Sequence, residues 1–275
     1  MPASAADAPC PEQAFNATAL KWHTCAWLLL PVLIFLAGWM HWYAALPLML
    51  LTAAGLAPRK CKEPQTRDSL PAFPLFTRSS FLALAAFAAL MTLSGWGEWV
   101  NQHPDHIVRN ACLRELVASP WPVIFPDENM LVYNTGFWLI PALAGKLAGL
   151  DAARVLVVLW GAWGLFLAWL WLCVFSGRRS LLLALLMAAF GSLLNFQCWL
   201  GLDLFRLHYF GTAEQIMCSA NASIPVLLFF IFLASGRMPL PWIPLLFAAT
   251  AFYSPLAALG GLPLAACQWL SLIHI

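Results

Sequence analysis

The feature that most constrains this chain is a series of long apolar runs separated by short polar segments. Of its 275 residues, 62% are hydrophobic and only 9% are charged. The mean hydropathy is +0.79, which is typical of proteins that cross a membrane several times. A soluble domain of this length has too little interior to bury so much apolar surface. The sequence therefore predicts an all-α, polytopic transmembrane helical bundle.

The apolar runs predict the positions of the helices, because a helix needs about 20 apolar residues to cross a bilayer. The run at 25–57 is too long for one helix and has polar side chains near its middle, so it is interpreted as a hairpin of two short spans. The predicted domain organisation is an N-terminal tail at 1–24 and a transmembrane domain at 25–269, with spans at about 25–40, 43–57, 79–96, 153–175, 181–200, 222–236 and 242–268. An outer loop at 97–150 is expected to carry juxtamembrane helices, and its segment 131–149 is interfacial, re-entrant or a further span.

The C-terminal residues 270–275 differ from the rest of the sequence in origin. They read Leu-Ser-Leu-Ile-His-Ile, the in-frame translation of a transposase end used in sequencing libraries. We expect this segment to be an adapter artefact and the chain to be truncated, so 270–275 is excluded from the fold prediction.

Basic residues in the short connecting segments predict the orientation, since Lys and Arg favour the cytoplasmic side. The linker at 58–78, the pair Arg178 and Arg179, and Arg237 fall on one side of the predicted spans. Assigning that side to the cytoplasm leaves 97–150 and 201–221 outside. The expected location is a bacterial cytoplasmic (inner) membrane, crossed several times.

Composition also excludes several classes of partner and cofactor. A net charge of +2 without a basic cluster argues against nucleic acid. The eight cysteines are scattered, mostly within apolar runs, and are expected to be small buried hydrophobes. His103 and His106 have a spacing compatible with a metal, but no further ligand is recognisable in the sequence. No metal site and no cofactor is predicted, with a divalent cation left as an alternative.

The main polar segment of the chain lies between 98 and 130, directly after the third predicted span. Asp105 stands at the start of a predicted helix that reaches Ala118. One interpretation is structural, because an acidic side chain favours a helix start and pairs with Arg109 one turn later. The other is a general base or a phosphate-contacting carboxylate beside the bilayer. Glu98 is a second candidate carboxylate, although it also suits a solvated helix end.

Cations and aromatic side chains surround this segment on the same predicted side. Lys146 and Arg154 flank the start of the fourth span, against the usual charge bias, so they either contact an anionic lipid phosphate or extend toward the membrane surface. Trp121 suits the membrane interface, and stacking on a sugar is the alternative.

A family resemblance is carried by the order of these elements. Asp105, the Trp-Pro element at 119–122, the aromatic segment at 131–138 and the Gly-to-Arg segment at 149–154 follow the pattern of C-type (GT-C) integral membrane glycosyltransferases. That pattern resembles the relatives of protein O-mannosyltransferases and aminoarabinose-lipid A transferases, and the chain is also similar to a bacterial branch carrying Asp-His-x-x-x-Asn. The resemblance covers about 80–175. His106 stands where the family often has a second acidic residue.

The resemblance implies transfer of a hexosyl or pentosyl group from a polyprenyl-phosphate donor to an envelope lipid, glycan or protein acceptor on the outer face. It implies a base and cations that stabilise the departing lipid phosphate. Membrane lipids are further expected partners. The alternatives are an envelope lipid or polysaccharide transporter or flippase-like protein, and a non-catalytic membrane scaffold. The expected catalytic residues are Asp105, Glu98 and His106, and the expected substrate-binding residues are Arg154, Lys146, Tyr133, Trp121 and Arg109.

Overall fold

The fold was described from a computed structural model, which covers residues 11–57, 77–190 and 211–273, with side chains between 18 and 270. Predictions for 1–10, 58–76, 191–210 and 274–275 lie outside the described residues; they concern most of the basic linker, half of the span at 181–200 and half of the loop at 201–221. The described residues form ten helices: α1 (Pro11–Trp39), α2 (Trp42–Leu56), α3 (Arg78–Leu93), α4 (His106–Ala118), α5 (Gly136–Ala148), α6 (Leu150–Ser176), α7 (Leu181–Ala189), α8 (Thr212–Ala234), α9 (Trp242–Tyr253) and α10 (Pro255–Ile273).

The predicted all-α class is confirmed for these residues. The β-pairing among them is an isolated bridge between Ile124 and Met130. Three helices are long and apolar enough to cross a membrane, namely Thr18–Trp39 within α1, α6 and α8. The other apolar helices are shorter, so their depth in a membrane is not fixed by length alone.

Helix boundaries differ from the predicted spans at both ends of the chain. α1 begins at Pro11, inside the predicted tail, because proline suits the first helical position, where its missing N–H needs no partner. The stretch 242–268 is two helices rather than one. Ser254 separates them with extended dihedrals, since the residue before a proline, here Pro255, is disfavoured in the helical region.

Helix α6 is the centre of the bundle and packs against α1, α3, α5 and α8. Beyond its first two turns it is apolar on all sides, as expected for a helix surrounded by others. Trp27 of α1 stacks on Trp160 at 5.0 Å and on Tyr253 at 5.8 Å, so one indole joins α1, α6 and α9. Gly164 lets this indole and Ile224 approach the α6 backbone.

The two ends of the bundle differ in chemistry. At one end, Ser80 near the start of α3 accepts a hydrogen bond from Arg179, and the Trp169 indole donates to the Ser180 carbonyl at 3.1 Å. We call this the basic end. At the other end, Glu98 follows α3 and meets the start of α6, and Trp96 meets the start of α8. This second end, here called the cluster end, holds all the predicted site residues.

Candidate functional site

A tight turn between α3 and α4 orients the first carboxylate of the site. Gly95 and Gly97 have φ angles of +92°, and Glu98 follows with +66°, a left-handed conformation that is uncommon for a residue with a side chain. Gln102 donates to the Gly95 carbonyl at 2.6 Å and accepts from Asn110 of α4 at 2.9 Å. These bonds tie the turn to α4.

Glu98 is the hub of a charge cluster rather than a solvated helix end. Its Oε2 accepts hydrogen bonds from Arg154 of α6 and from Arg114 of α4, the latter at 2.7 Å. Arg154 also donates to Asp151 at 2.8 Å. The Glu98 side chain is only 13% exposed, whereas that of Asp151 is 91% exposed. The cluster therefore joins the turn, α4 and α6, and the predicted phosphate ligand Arg154 already has two carboxylate partners.

Lys146, in the last turn of α5, lies apart from this cluster and contacts the C-terminal end of α4. Its Nζ donates to the Ser119 carbonyl at 2.5 Å and lies 5.1 Å from the centre of the Trp121 ring. The Trp121 indole donates to the Leu116 carbonyl at 2.9 Å. Lys146 thus satisfies a carbonyl that the helix end leaves unpaired. Tyr133 is separate again and packs on Trp138 at 5.5 Å.

Asp105 is the accessible carboxylate among the predicted catalytic residues. Its side chain is 52% exposed and lies 3.6 Å from the Nη2 of Arg109, the i,i+4 pair that the sequence predicts. It makes no capping hydrogen bond to the helix it precedes. Arg109 itself is buried and donates to the Ser219 hydroxyl at 3.2 Å. A buried cation, anchored on α8, thus holds an exposed anion in position.

His106 is buried at the contact between α4 and α8. Its Nε2 donates to the Met217 carbonyl at 2.9 Å, and its ring packs edge-on against Trp96 at 4.8 Å. Burial lowers the pKa of His106, which keeps the ring neutral near neutral pH. Because the ring is fully enclosed, His106 supports the α4–α8 contact and does not face a substrate in this conformation.

The start of α8 supplies residues that the sequence analysis does not identify as part of the site. The helix is kinked at Ser219, where φ is −152° and ψ is +43°. Met217, Cys218 and Ser219 at the kink face α4: the Met217 carbonyl bonds to His106, the Ser219 hydroxyl bonds to Arg109, and Cys218 lies near Asp105. The sulfur of Cys218 lies within 4.8 Å of both His103 and Asp105 ligand atoms. No spacing rule connects segments that lie more than a hundred positions apart.

A cavity of about 510 Å³ lies beside the same kink, between α6, α8 and α10. Most of its lining is apolar, including Leu165, Ile224 and Leu227, while Gln215 and Ser223 supply polar groups. The Ser223 hydroxyl donates to the Ser219 carbonyl at 3.0 Å, which connects the cavity wall to the kink.

Seven of the eight predicted site residues thus form three groups at the cluster end: Asp105 with His106 and Arg109, Glu98 with Arg154, and Lys146 with Trp121. Tyr133 belongs to none of them. Among the described residues no ion pair joins the first two groups. No protein-family model matches the chain, and no curated protein or solved structure matches it significantly. A function must therefore be argued from the chemistry of these groups.

Proposed function

We propose that the chain belongs to a multi-pass protein of a bacterial cytoplasmic membrane that transfers a sugar from a polyprenyl-phosphate donor to an envelope acceptor on the extracytoplasmic face. The single observation that carries the proposal is the exposed Asp105 carboxylate, held by the buried Arg109 at one end of an apolar bundle. The sequence resemblance to C-type glycosyltransferases is centred on the same residue. The basic end, where Arg179 bonds to Ser80, is the side that the sequence assigns to the cytoplasm.

Asp105 is better suited than Glu98 to the role of general base. A base must come within hydrogen-bond distance of the acceptor hydroxyl, and the Asp105 side chain is open to solvent. Glu98 has one oxygen shared by two arginines and a second oxygen that is buried without a partner. Removing the charge of Glu98 would disturb the turn and α6 before it changed any proton transfer.

The proposed donor has an isoprenoid tail and a phosphate, and these need different surroundings. The cavity beside the α8 kink has an apolar lining that suits an isoprenoid tail. The phosphate needs a cation, and the sequence offers Arg154 and Lys146. Either cation would have to break a present contact first: Arg154 its bond to Glu98 or Asp151, and Lys146 its bonds to the carbonyl groups at the end of α4. Lys146 is exposed and bonds only to neutral carbonyl groups. Moving Lys146 to a phosphate therefore costs less free energy than separating Arg154 from a carboxylate.

The test replaces Asp105 by asparagine in the full-length protein and measures transfer from a labelled polyprenyl-phosphate sugar in vesicles. Asparagine keeps the shape and is a good residue at a helix start, so folding should be preserved. Loss of a general base should lower the transfer rate on the order of a hundredfold. Asp127→Asn is the matched control, because Asp127 is an exposed loop carboxylate that accepts a hydrogen bond from Asn129. The Asp127→Asn protein should transfer sugar at the rate of the parent.

Each other outcome has a definite meaning. A parental rate in Asp105→Asn would assign Asp105 a structural role and contradict its assignment as the base. A parent protein that transfers no sugar from any polyprenyl-phosphate donor would favour the non-catalytic scaffold or the envelope transporter instead.

A further inference from the structure

We propose that His103, Asp105 and Cys218 form a zinc site at the contact between the α3–α4 connection and the kink of α8. One ring nitrogen of His103, one carboxylate oxygen of Asp105 and the Cys218 sulfur all lie within 4.8 Å of one another. The His103 Nδ1 and the Asp105 Oδ2 are 3.5 Å apart. Two of these ligands are close in sequence, and the fold supplies the third.

The donor set is the one that zinc prefers. Zinc binds imidazole nitrogen, thiolate sulfur and carboxylate oxygen with bond lengths of about 2.0 to 2.3 Å. In a tetrahedron these bonds separate neighbouring ligand atoms by about 3.3 to 3.8 Å. The distance between the His103 Nδ1 and the Asp105 Oδ2 already lies in this range. The sulfur, within 4.8 Å of the other two ligand atoms, has about 1.3 Å at most to close. Magnesium and calcium prefer oxygen ligands and would reject the thiolate.

The convergence of these atoms also favours a cation between them. The His103 Nδ1 accepts a long hydrogen bond of 3.4 Å from the backbone N–H of Asp105, which a metal bound to this nitrogen would replace. The carboxylate and a thiolate add two further lone-pair donors. Three electron donors that converge from two segments are stabilised by a bound cation.

The surroundings match a three-ligand site with an open position. Cys218 is buried, whereas the side chains of His103 and Asp105 are 37% and 52% exposed. A fourth ligand, water or an oxygen of a bound molecule, therefore has access from the solvent side. Arg109 donates to Ser219 and lies 3.6 Å from the Asp105 carboxylate. It thereby holds the carboxylate in position, as residues in the second coordination shell of a metal site commonly do. Carboxylate and thiolate together balance the charge of zinc, and Arg109 adds one further positive charge beside the site.

The zinc proposal does not rest on sugar transfer, since it needs only the three ligands. It does predict that one Asp105 oxygen is bound to metal while the second remains available to a substrate. Metal binding is measured on protein that carries out no reaction, so failure of one proposal leaves the other standing.

The experiment uses tag-free, detergent-purified full-length protein, because a histidine tag would bind zinc itself. After removal of metals with a chelator, the protein is titrated with zinc and its metal content measured by mass spectrometry. Cobalt is added in parallel, because a thiolate bound to cobalt gives a near-ultraviolet charge-transfer band. We expect one zinc per chain and a cobalt–thiolate band for the parent.

Three variants make the result decisive. Cys218→Ala should remove the cobalt–thiolate band, and both Cys218→Ala and His103→Ala should lower zinc affinity at least tenfold. His103 is partly exposed, so its replacement does not endanger folding. Cys112→Ala is the control: Cys112 is a buried thiol of α4, burial raises its pKa to about 12, and it should leave metal binding unchanged. A parent without zinc, or equal binding by the parent and Cys218→Ala, would overturn the proposal and leave His103 and Asp105 as polar neighbours without a metal.

Discussion

Replacing Glu98 by glutamine tests whether the charge cluster holds the cluster end together. Glutamine keeps the shape of the side chain and removes the negative charge that Arg114 and Arg154 share. The pair with Arg154 is mostly buried, with side-chain exposures of 13% and 24%. A charged hydrogen bond of this kind contributes about 1.5 to 3 kcal/mol. The pair with Arg114, which is 53% exposed, adds about 0.2 to 1 kcal/mol.

The free energy of unfolding should therefore fall by about 2 to 4 kcal/mol in Glu98→Gln, the sum of these two ranges. The measurement is unfolding in mixed micelles with increasing denaturing detergent, followed by tryptophan fluorescence. Asp151→Asn is the matched control, because it removes the other partner of Arg154 at a site that is 91% exposed. That change should cost less than about 1 kcal/mol.

A double-mutant cycle separates the pair from other effects of the substitution. In an Arg154→Gln background the buried pair is already lost, so Glu98→Gln should cost about 1 kcal/mol or less. Equal losses in Glu98→Gln and Asp151→Asn, or an unchanged loss in the Arg154→Gln background, would refute the reasoning that the buried pair stabilises the bundle.

Two further predictions concern packing and orientation. Gly164→Ala should lower the free energy of unfolding by about 1 to 3 kcal/mol, because the new Cβ would lie 2.6 Å from Ile224 and 2.7 Å from Trp27. Gly260→Ala, where the Cβ meets nothing within 4 Å, should be neutral or slightly stabilising in the same unfolding assay, and equal losses in both would contradict the packing argument. In a cysteine-free background, a cysteine at the exposed Ile107 should react with an impermeant maleimide in intact cells. A cysteine at Gln65 should react only after permeabilisation, and the reverse pattern would overturn the orientation.

Local sequence predicts much of the helical organisation, because the apolar content that forms helices is a local property. Three predicted features involve residues within a few positions of one another: the start of α4, the break between α1 and α2, and the pairing of Asp105 with Arg109. The helix break at Ser254 is visible in the sequence as Ser254-Pro255, but hydropathy averages over the proline. Backbone chemistry, not apolar content, decides that boundary.

The site was less predictable, because its contacts join distant segments. The sequence predicts a functional role for both Glu98 and Arg154, yet they pair with each other across 56 positions. Nothing in their local sequence shows that each neutralises the other. The sequence predicts that Cys218 is a buried apolar residue, and it is buried. Its nearness to His103 comes from a contact between distant segments, which has no signature in composition or periodicity.

The length of α6 has a consequence for the depth of the charge cluster. Its 27 residues extend about 40 Å, against a hydrocarbon core of about 30 Å. Such a mismatch is accommodated by tilting or by letting the helix ends emerge into the headgroup layer. Arg154 lies in the second turn of α6 and is fixed to the α3–α4 turn through Glu98, which favours emergence at that end. The cluster would then lie level with the lipid headgroups, and membrane thickness would control its exposure to water.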